Sequence, residues 1–203
     1  MNTFTYEATD RKTHLEQYEW DNTWWETTGD ITIPRVLYIG DSISCGIRRL
    51  ATECSGNKFL FDGFGSSKAV DHPYLSHSIR LFAKQQNSRK IILFNNGLHG
   101  WHLDDATEYK NHYEKQVQFL LNEFYDTTVA LVLTTCIGGE RNQRVIARNR
   151  YVKEIAEKYN LPIIDLYTVS VENIHLQCDD KVHFTLEGYR IFAEKILTDI
   201  NKF

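Results

Sequence analysis

Ser42 and His183 are the two residues from which a reaction can be built. Ser42 ends the stretch Val36-Leu-Tyr-Ile-Gly-Asp-Ser42, an apolar run entering a tight turn. His183 ends Asp180-Lys-Val-His183, near the close of the 203-residue chain. A serine hydroxyl is a weak nucleophile until a base takes its proton. An imidazole is the side chain suited to that task near neutral pH. A carboxylate on the far ring nitrogen fixes the tautomer and stabilises the imidazolium. Asp180, three residues before His183, has the reach to serve. Asp179 and Asp165 compete for the same role. Each pattern alone also fits a helix cap, so the constellation carries weight only if a fold brings its parts together.

Two further groups of residues could carry chemistry. His99-Gly-Trp-His102 places two histidines three apart, and with Asp41, Asp180 and His183 they would make a plausible metal-ligand set. The preferred reading is a pocket-shaping loop without a metal, because the serine block already accounts for Asp41 and His183. Arg141-Asn-Gln-Arg144 and Arg148-Asn149 could meet an anionic substrate. The preferred reading there is that Arg148 and Arg150 form a solvated face or pair with Glu154. Cys45, Cys54, Cys136 and Cys178 form no CxxC pair, which argues against a disulfide framework or a zinc–cysteine site.

The elements that must position these groups alternate after Pro34. Apolar runs at Val36–Ile39, Phe59–Phe61, Ile91–Phe94, Val129–Leu133 and Ile163–Ile164 read as buried strands. Helices are expected over 44–52, 73–86, 107–124 and 144–159, and from a Thr185 cap to about Ile200. Alternating strands and helices imply a parallel sheet covered on both faces. In such sheets ligands bind beyond the carboxyl ends of the strands. Ser42, Gly65, Asn95, Asn96 and Asp165 all fall there. Residues 1–33, with Trp20, Trp24 and Trp25, lack sustained periodicity and read as an N-terminal extension packed on a domain spanning 34–203.

Composition narrows the partners. The chain is 42% hydrophobic and 25% charged, ordinary for one folded domain, and its formal net charge of −4 comes without a basic stripe. Nucleic-acid binding is therefore not expected. No apolar segment approaches bilayer-spanning length, so no membrane association is expected. The N-terminus lacks a basic region followed by an apolar run, and the chain reads as cytoplasmic. The sequence leaves the oligomeric state open.

Four blocks now stand in order: Gly40-Asp41-Ser42, a glycine after the second strand, a Gly-x-x-x block after the third, and Asp180-x-x-His183. Over residues 34–200 their order and spacing resemble the GDSL, or SGNH, hydrolases. The resemblance implies a flavodoxin-like three-layer α/β/α sandwich with a parallel five-stranded sheet in the order 2-1-3-4-5. It implies Ser42 as nucleophile, His183 as base and Asp180 as its partner, with no cofactor. It also implies an oxyanion hole from the Ser42 N–H, a glycine N–H (Gly65, with Gly63 as alternative) and an asparagine side chain. The chain departs at the last of these. Where the family has Gly-x-Asn-Asp, this sequence reads Asn95-Asn96-Gly97-Leu98-His99-Gly100. The third donor is expected from Asn95, Asn96 or His99, with an Asn favoured and His99 near the substrate.

The expected activity is removal of a small, acetyl-type acyl group from a small-molecule or carbohydrate ester. The alternatives are a metal-dependent phosphoesterase and a degenerate member that binds glycans through Trp20, Trp24, Trp25 and Trp101.

Overall fold

The computed structural model of the chain describes residues 15–202, apart from 17, 87, 104 and 105. Residues 1–14 of the expected extension thus lie outside the described residues. One sheet is built from β1 (Asp21–Trp24), β2 (Arg35–Gly40), β3 (Leu60–Ser66), β4 (Arg89–Phe94), β5 (Thr128–Val132) and β6 (Ile163–Ile164). Its order is β1-β3-β2-β4-β5-β6. The five strands from β2 onwards are parallel, and counted alone they run 2-1-3-4-5 as expected.

Among the described residues the sheet has six strands, which corrects the expected five. β1 joins the edge antiparallel to β3, from Asp21 opposite Ser66 to Trp24 opposite Gly63. Its Asp-Asn-Thr-Trp residues are mostly exposed, so no apolar alternation marked it. Backbone pairing makes this strand, and backbone pairing leaves no trace in residue type.

Among the described residues six α-helices flank the sheet: α1 (Ser42–Cys54), α2 (Leu75–Ala83), α3 (Ala106–Glu123), α4 (Asn142–Tyr159), α5 (Leu166–Glu172) and α6 (Leu186–Ile200). The two-residue alternation of strand side chains divides the core between the two faces. Val36 and Tyr38 of β2 pack with Ile47 of α1 and Phe192 and Ile196 of α6. Leu37 and Ile39 pack on the other face with Ile79, Val117 and Ile155 of α2, α3 and α4. Among the described residues no helix is long and apolar enough to cross a membrane.

The described part of the extension is fastened at the far end of the sheet from Ser42. Arg35, 3% exposed, donates to Asp62 at 2.9 Å and to the carbonyls of Glu26, Thr27 and Asp30. Residues 26–30 are wound around that guanidinium.

Candidate active site

The strand order reverses between β2 and β4, and loops leaving those strands diverge to open a crevice. Ser42 stands at its β2 side as the first residue of α1. Gly40 makes the turn possible, since a Cβ there would come within 2.8 Å of Ser44 Cβ. Asp41 caps the helix, its Oδ1 accepting from Ile43 N–H at 2.9 Å. The helix therefore starts two residues earlier than its apolar pattern indicates. Burial pushes the Asp41 carboxyl up, while His99, the Ile43 N–H and His183 pull it partly back.

His183 arrives from the opposite end of the chain. Its Nε2 lies 2.8 Å from Ser42 Oγ and its Nδ1 lies 2.7 Å from Asp180 Oδ2. Asp180 Oδ1 accepts the backbone N–H groups of Val182 and His183, each at 2.9 Å. That turn demands a left-handed residue at Lys181 (φ 60°), and it aims the second carboxylate oxygen at the ring. The loop is closed by Cys178 N–H on His183 O at 2.8 Å and braced by Gly138 N–H on Lys181 O at 2.7 Å. Burial opposes ionisation of Asp180, but the two N–H donors and the imidazole outweigh it and hold the carboxyl below its ordinary range. Asp165, the competing acid, instead caps α5 through Thr168 N–H at 2.9 Å.

The expected oxyanion donors fare differently. Asn95 is turned into the sheet, with its amide donating to Val132 O at 2.8 Å and Thr134 Oγ1 at 3.0 Å. Both amide protons are thereby committed, so Asn95 is corrected to a structural residue. Asn96 anchors its amide on Lys68 O at 2.7 Å. Gly65 is also corrected. Ser67 N–H donates to Trp20 O at 3.1 Å, and antiparallel pairs alternate in hydrogen bonding. The Asn22–Gly65 pair, two residues along, is therefore hydrogen-bonded as well, and the Gly65 N–H faces β1 rather than Ser42. Gly63 shares that orientation. His99 is 6% exposed, with its Nδ1 3.6 Å from Glu16 Oε1 and its ring edge-on to Trp20 at 6.0 Å.

Residue-type reasoning missed Arg148. It is not on a solvated face: only 4% exposed, it donates to Gly97 O at 3.0 Å, His99 O at 2.7 Å and Gly100 O at 2.7 Å. One guanidinium thus shapes the whole loop that presents His99. The period of α4 gave a weak signal, since Val145, Arg148, Val152 and Ile155 share its buried side. Glu16, in the aperiodic extension, gave none. The proposed metal set does not assemble: His102 pairs with Asp71 at 2.7 Å, away from the His183–Asp180 couple. No group of three or more possible ligands occurs among the described residues. The tryptophans do not form a shared platform either. Trp25 stacks on Phe82 at 4.1 Å, Trp101 is 3% exposed, and Trp24 lies under Arg48 and Arg49.

No protein-family model matches the sequence, and no curated protein does. Solved structures do match the fold. The acetyl xylan esterase AlAXEase superposes with a TM-score of 0.65 at 20% identity, covering 81% of this chain and 98% of its own. A lipolytic G-D-S-L protein from Veillonella parvula gives 0.64 at 20% identity, covering 83% and 99%. The C-terminal catalytic domain of peptidoglycan O-acetyltransferase A from Streptococcus pneumoniae gives 0.63 at 21% identity, covering 84% and 94%. With five parallel strands in this order and the crevice at their carboxyl ends, the chain has the fold of the GDSL, or SGNH, hydrolases.

Proposed function

We propose that the protein is a serine esterase that removes a small acyl group from an alcohol oxygen. One observation carries this reading: the His183 ring bridges Ser42 Oγ and Asp180 Oδ2 at 2.8 and 2.7 Å. Ser42 Oγ attacks the ester carbonyl as His183 Nε2 takes its proton. The imidazolium, held by Asp180, then protonates the departing alcohol and leaves an acyl-serine. Water enters, gives a proton to His183 and adds to the acyl carbon. Collapse releases the acid and returns the proton to Ser42. The Ser42 N–H, at the positive end of α1, faces the developing oxyanion.

The openness of the couple supports a bulky, polar alcohol. The side chains of His183 and Asp180 are 40% and 51% exposed, so a polysaccharide hydroxyl reaches them without an apolar tunnel. Two fold neighbours are described as acetylxylan esterases, which agrees with an acetylated carbohydrate as substrate.

The test is hydrolysis of a chromogenic acetyl ester and of acetylated xylan by the wild type and by Ser42→Ala. The variant is expected to lose activity on the order of 10⁴-fold or more. An organophosphonate probe is expected to label the wild type at Ser42. Undiminished hydrolysis by Ser42→Ala sinks the reading.

A further inference from the structure

We propose that Thr135, in the loop after β5, is a positioning residue for the nucleophile: through one bound water it holds the second carboxylate oxygen of Asp41, and with it the turn that presents Ser42. This rests on the esterase reading above and deepens it at the same site.

A small cavity adjoins the nucleophile turn. Asp41 and Ile43, the neighbours of Ser42 in sequence, border it, together with Asn95 after β4 and Thr134 and Thr135 after β5. It leaves about 10 Å³ for the centre of a water molecule, which is room for one. Two of the bordering side chains hold a buried polar atom with no hydrogen-bond partner among the described residues. These are Asp41 Oδ2 and Thr135 Oγ1, on residues that are each 2% exposed. The two atoms do not bond each other, yet both residues border a space of one water's size. A water there donates to Asp41 Oδ2 and accepts the Thr135 hydroxyl proton. Thr134 borders the same space and offers a third polar contact. Its Oγ1 accepts from Asn95 Nδ2 at 3.0 Å and keeps its own proton to give.

Thr135 is presented from a fixed backbone. Before it, Asn149 holds both Thr134 N–H and Thr134 O at 2.9 Å. After it, Cys136 N–H donates to Ser170 Oγ at 2.8 Å. Asp41 is the other end of the link, and its other oxygens shape the start of α1. Its Oδ1 accepts Ile43 N–H at 2.9 Å, and its backbone oxygen accepts Ser44 Oγ at 2.6 Å and Cys45 N–H at 3.2 Å. A carboxylate held at both oxygens keeps one orientation, and Ser42 follows it directly in the chain. Burial works against the charged form of Asp41. A water on Oδ2 restores part of the lost solvation, so charge and orientation are secured together. Proton transfer depends on the 2.8 Å contact between Ser42 Oγ and His183 Nε2, so a small swing of the turn is felt in kcat.

The test compares wild type, Thr135→Val, Thr135→Ser, Asp41→Ser and the Asp41→Ser/Thr135→Val double variant. Two readouts are taken: high-resolution crystal structures of wild type and Thr135→Val, and kcat and KM on a chromogenic acetyl ester. The wild-type crystal is expected to show a water within hydrogen-bond distance of both Asp41 Oδ2 and Thr135 Oγ1. Thr135→Val keeps the shape and loses the hydroxyl, and is expected to lower kcat about 3–20-fold at nearly constant KM. Thr135→Ser restores the hydroxyl and should stay within about twofold of wild type. Asp41→Ser keeps a helix cap without the second oxygen, so in that background Thr135→Val should change kcat less than about twofold. A wild-type crystal without that water overturns the proposal. So does a wild-type kcat in Thr135→Val, a Thr135→Ser variant no better than Thr135→Val, or a Thr135→Val loss that persists undiminished beside Asp41→Ser. Activity surviving Ser42→Ala would instead overturn the esterase reading, while the crystal would still decide whether the water joins Thr135 to Asp41.

Discussion

At the scale of single residues, the Asp180 carboxylate does two jobs with its two oxygens. One accepts the N–H groups that form the loop, and the other accepts from His183. Asp180→Asn can keep an acceptor for the loop but cannot stabilise the imidazolium. We expect kcat to fall about 10²–10⁴-fold with KM little changed, measured on the chromogenic ester. The depressed carboxyl also fixes a sign. Its charged form orients the ring, and that form is lost only as pH falls through a value below the ordinary Asp range of about 3.9. The acid limb of kcat/KM above pH 4 therefore does not report Asp180. It should persist in Asp180→Asn in a profile from pH 4 to 9, and a flat profile would refute this.

At the scale of elements, α4 and the loops it touches decide the shape of the crevice. Gly97 lies so close to the loop after β5 that a Cβ there would overlap Thr134 Oγ1. Asn149 then ties Thr134 from α4, through Thr134 N–H at 2.9 Å and Thr134 O at 2.9 Å. Arg148 bonds the three carbonyls of the 97–100 loop. Arg148→Met leaves those carbonyls without their charged donor. Urea unfolding should show a loss of about 2–4 kcal/mol, together with a lower kcat/KM. Arg150→Met, on an exposed turn of the same helix, should stay within about 0.5 kcal/mol of wild type. Equal effects from the two variants would refute the clamp. Thr185 caps α6 through Gly188 N–H at 3.3 Å, and Thr185→Ala should cost about 1 kcal/mol in the same assay.

For the molecule as a whole, the extension is built in at both ends of the sheet. At the crevice end Glu19 and Trp20 bond Ser67. At the other end Arg35 and Asp62, 3% and 0% exposed, gather the 26–30 turn. Asp62 also accepts from Glu26 N–H at 2.8 Å and Gln86 Nε2 at 2.6 Å. Asp62→Ala strands a buried guanidinium and should destabilise the domain by about 3–5 kcal/mol. A paired Arg35→Met/Asp62→Leu variant should lose less, because no unpaired charge remains. Denaturation midpoints of the two variants check this, and an Asp62→Ala midpoint equal to wild type would refute it.

What the sequence determined by itself follows from local chemistry and period. Four of the five parallel strands hold continuous apolar runs because they are buried between helices, whereas β3 carries only Leu60-Phe61 before Asp62, and the pattern showed just its start. The Gly40-Asp41-Ser42 turn, the Asp180-to-His183 loop and the Thr185 cap are made by contacts spanning a few residues, so their patterns were readable. Strand β1 and helix α5 were not, because one is held by backbone pairing and the other is seven residues long. The tertiary structure alone decided that His183 meets Ser42 across 141 positions. It alone turned Asn95 inward, aimed the Gly65 N–H at β1, and set Arg148 and Glu16 around His99. Those outcomes depend on which polar groups find partners first when distant segments close over one another, and residue type at a single position carries no record of that.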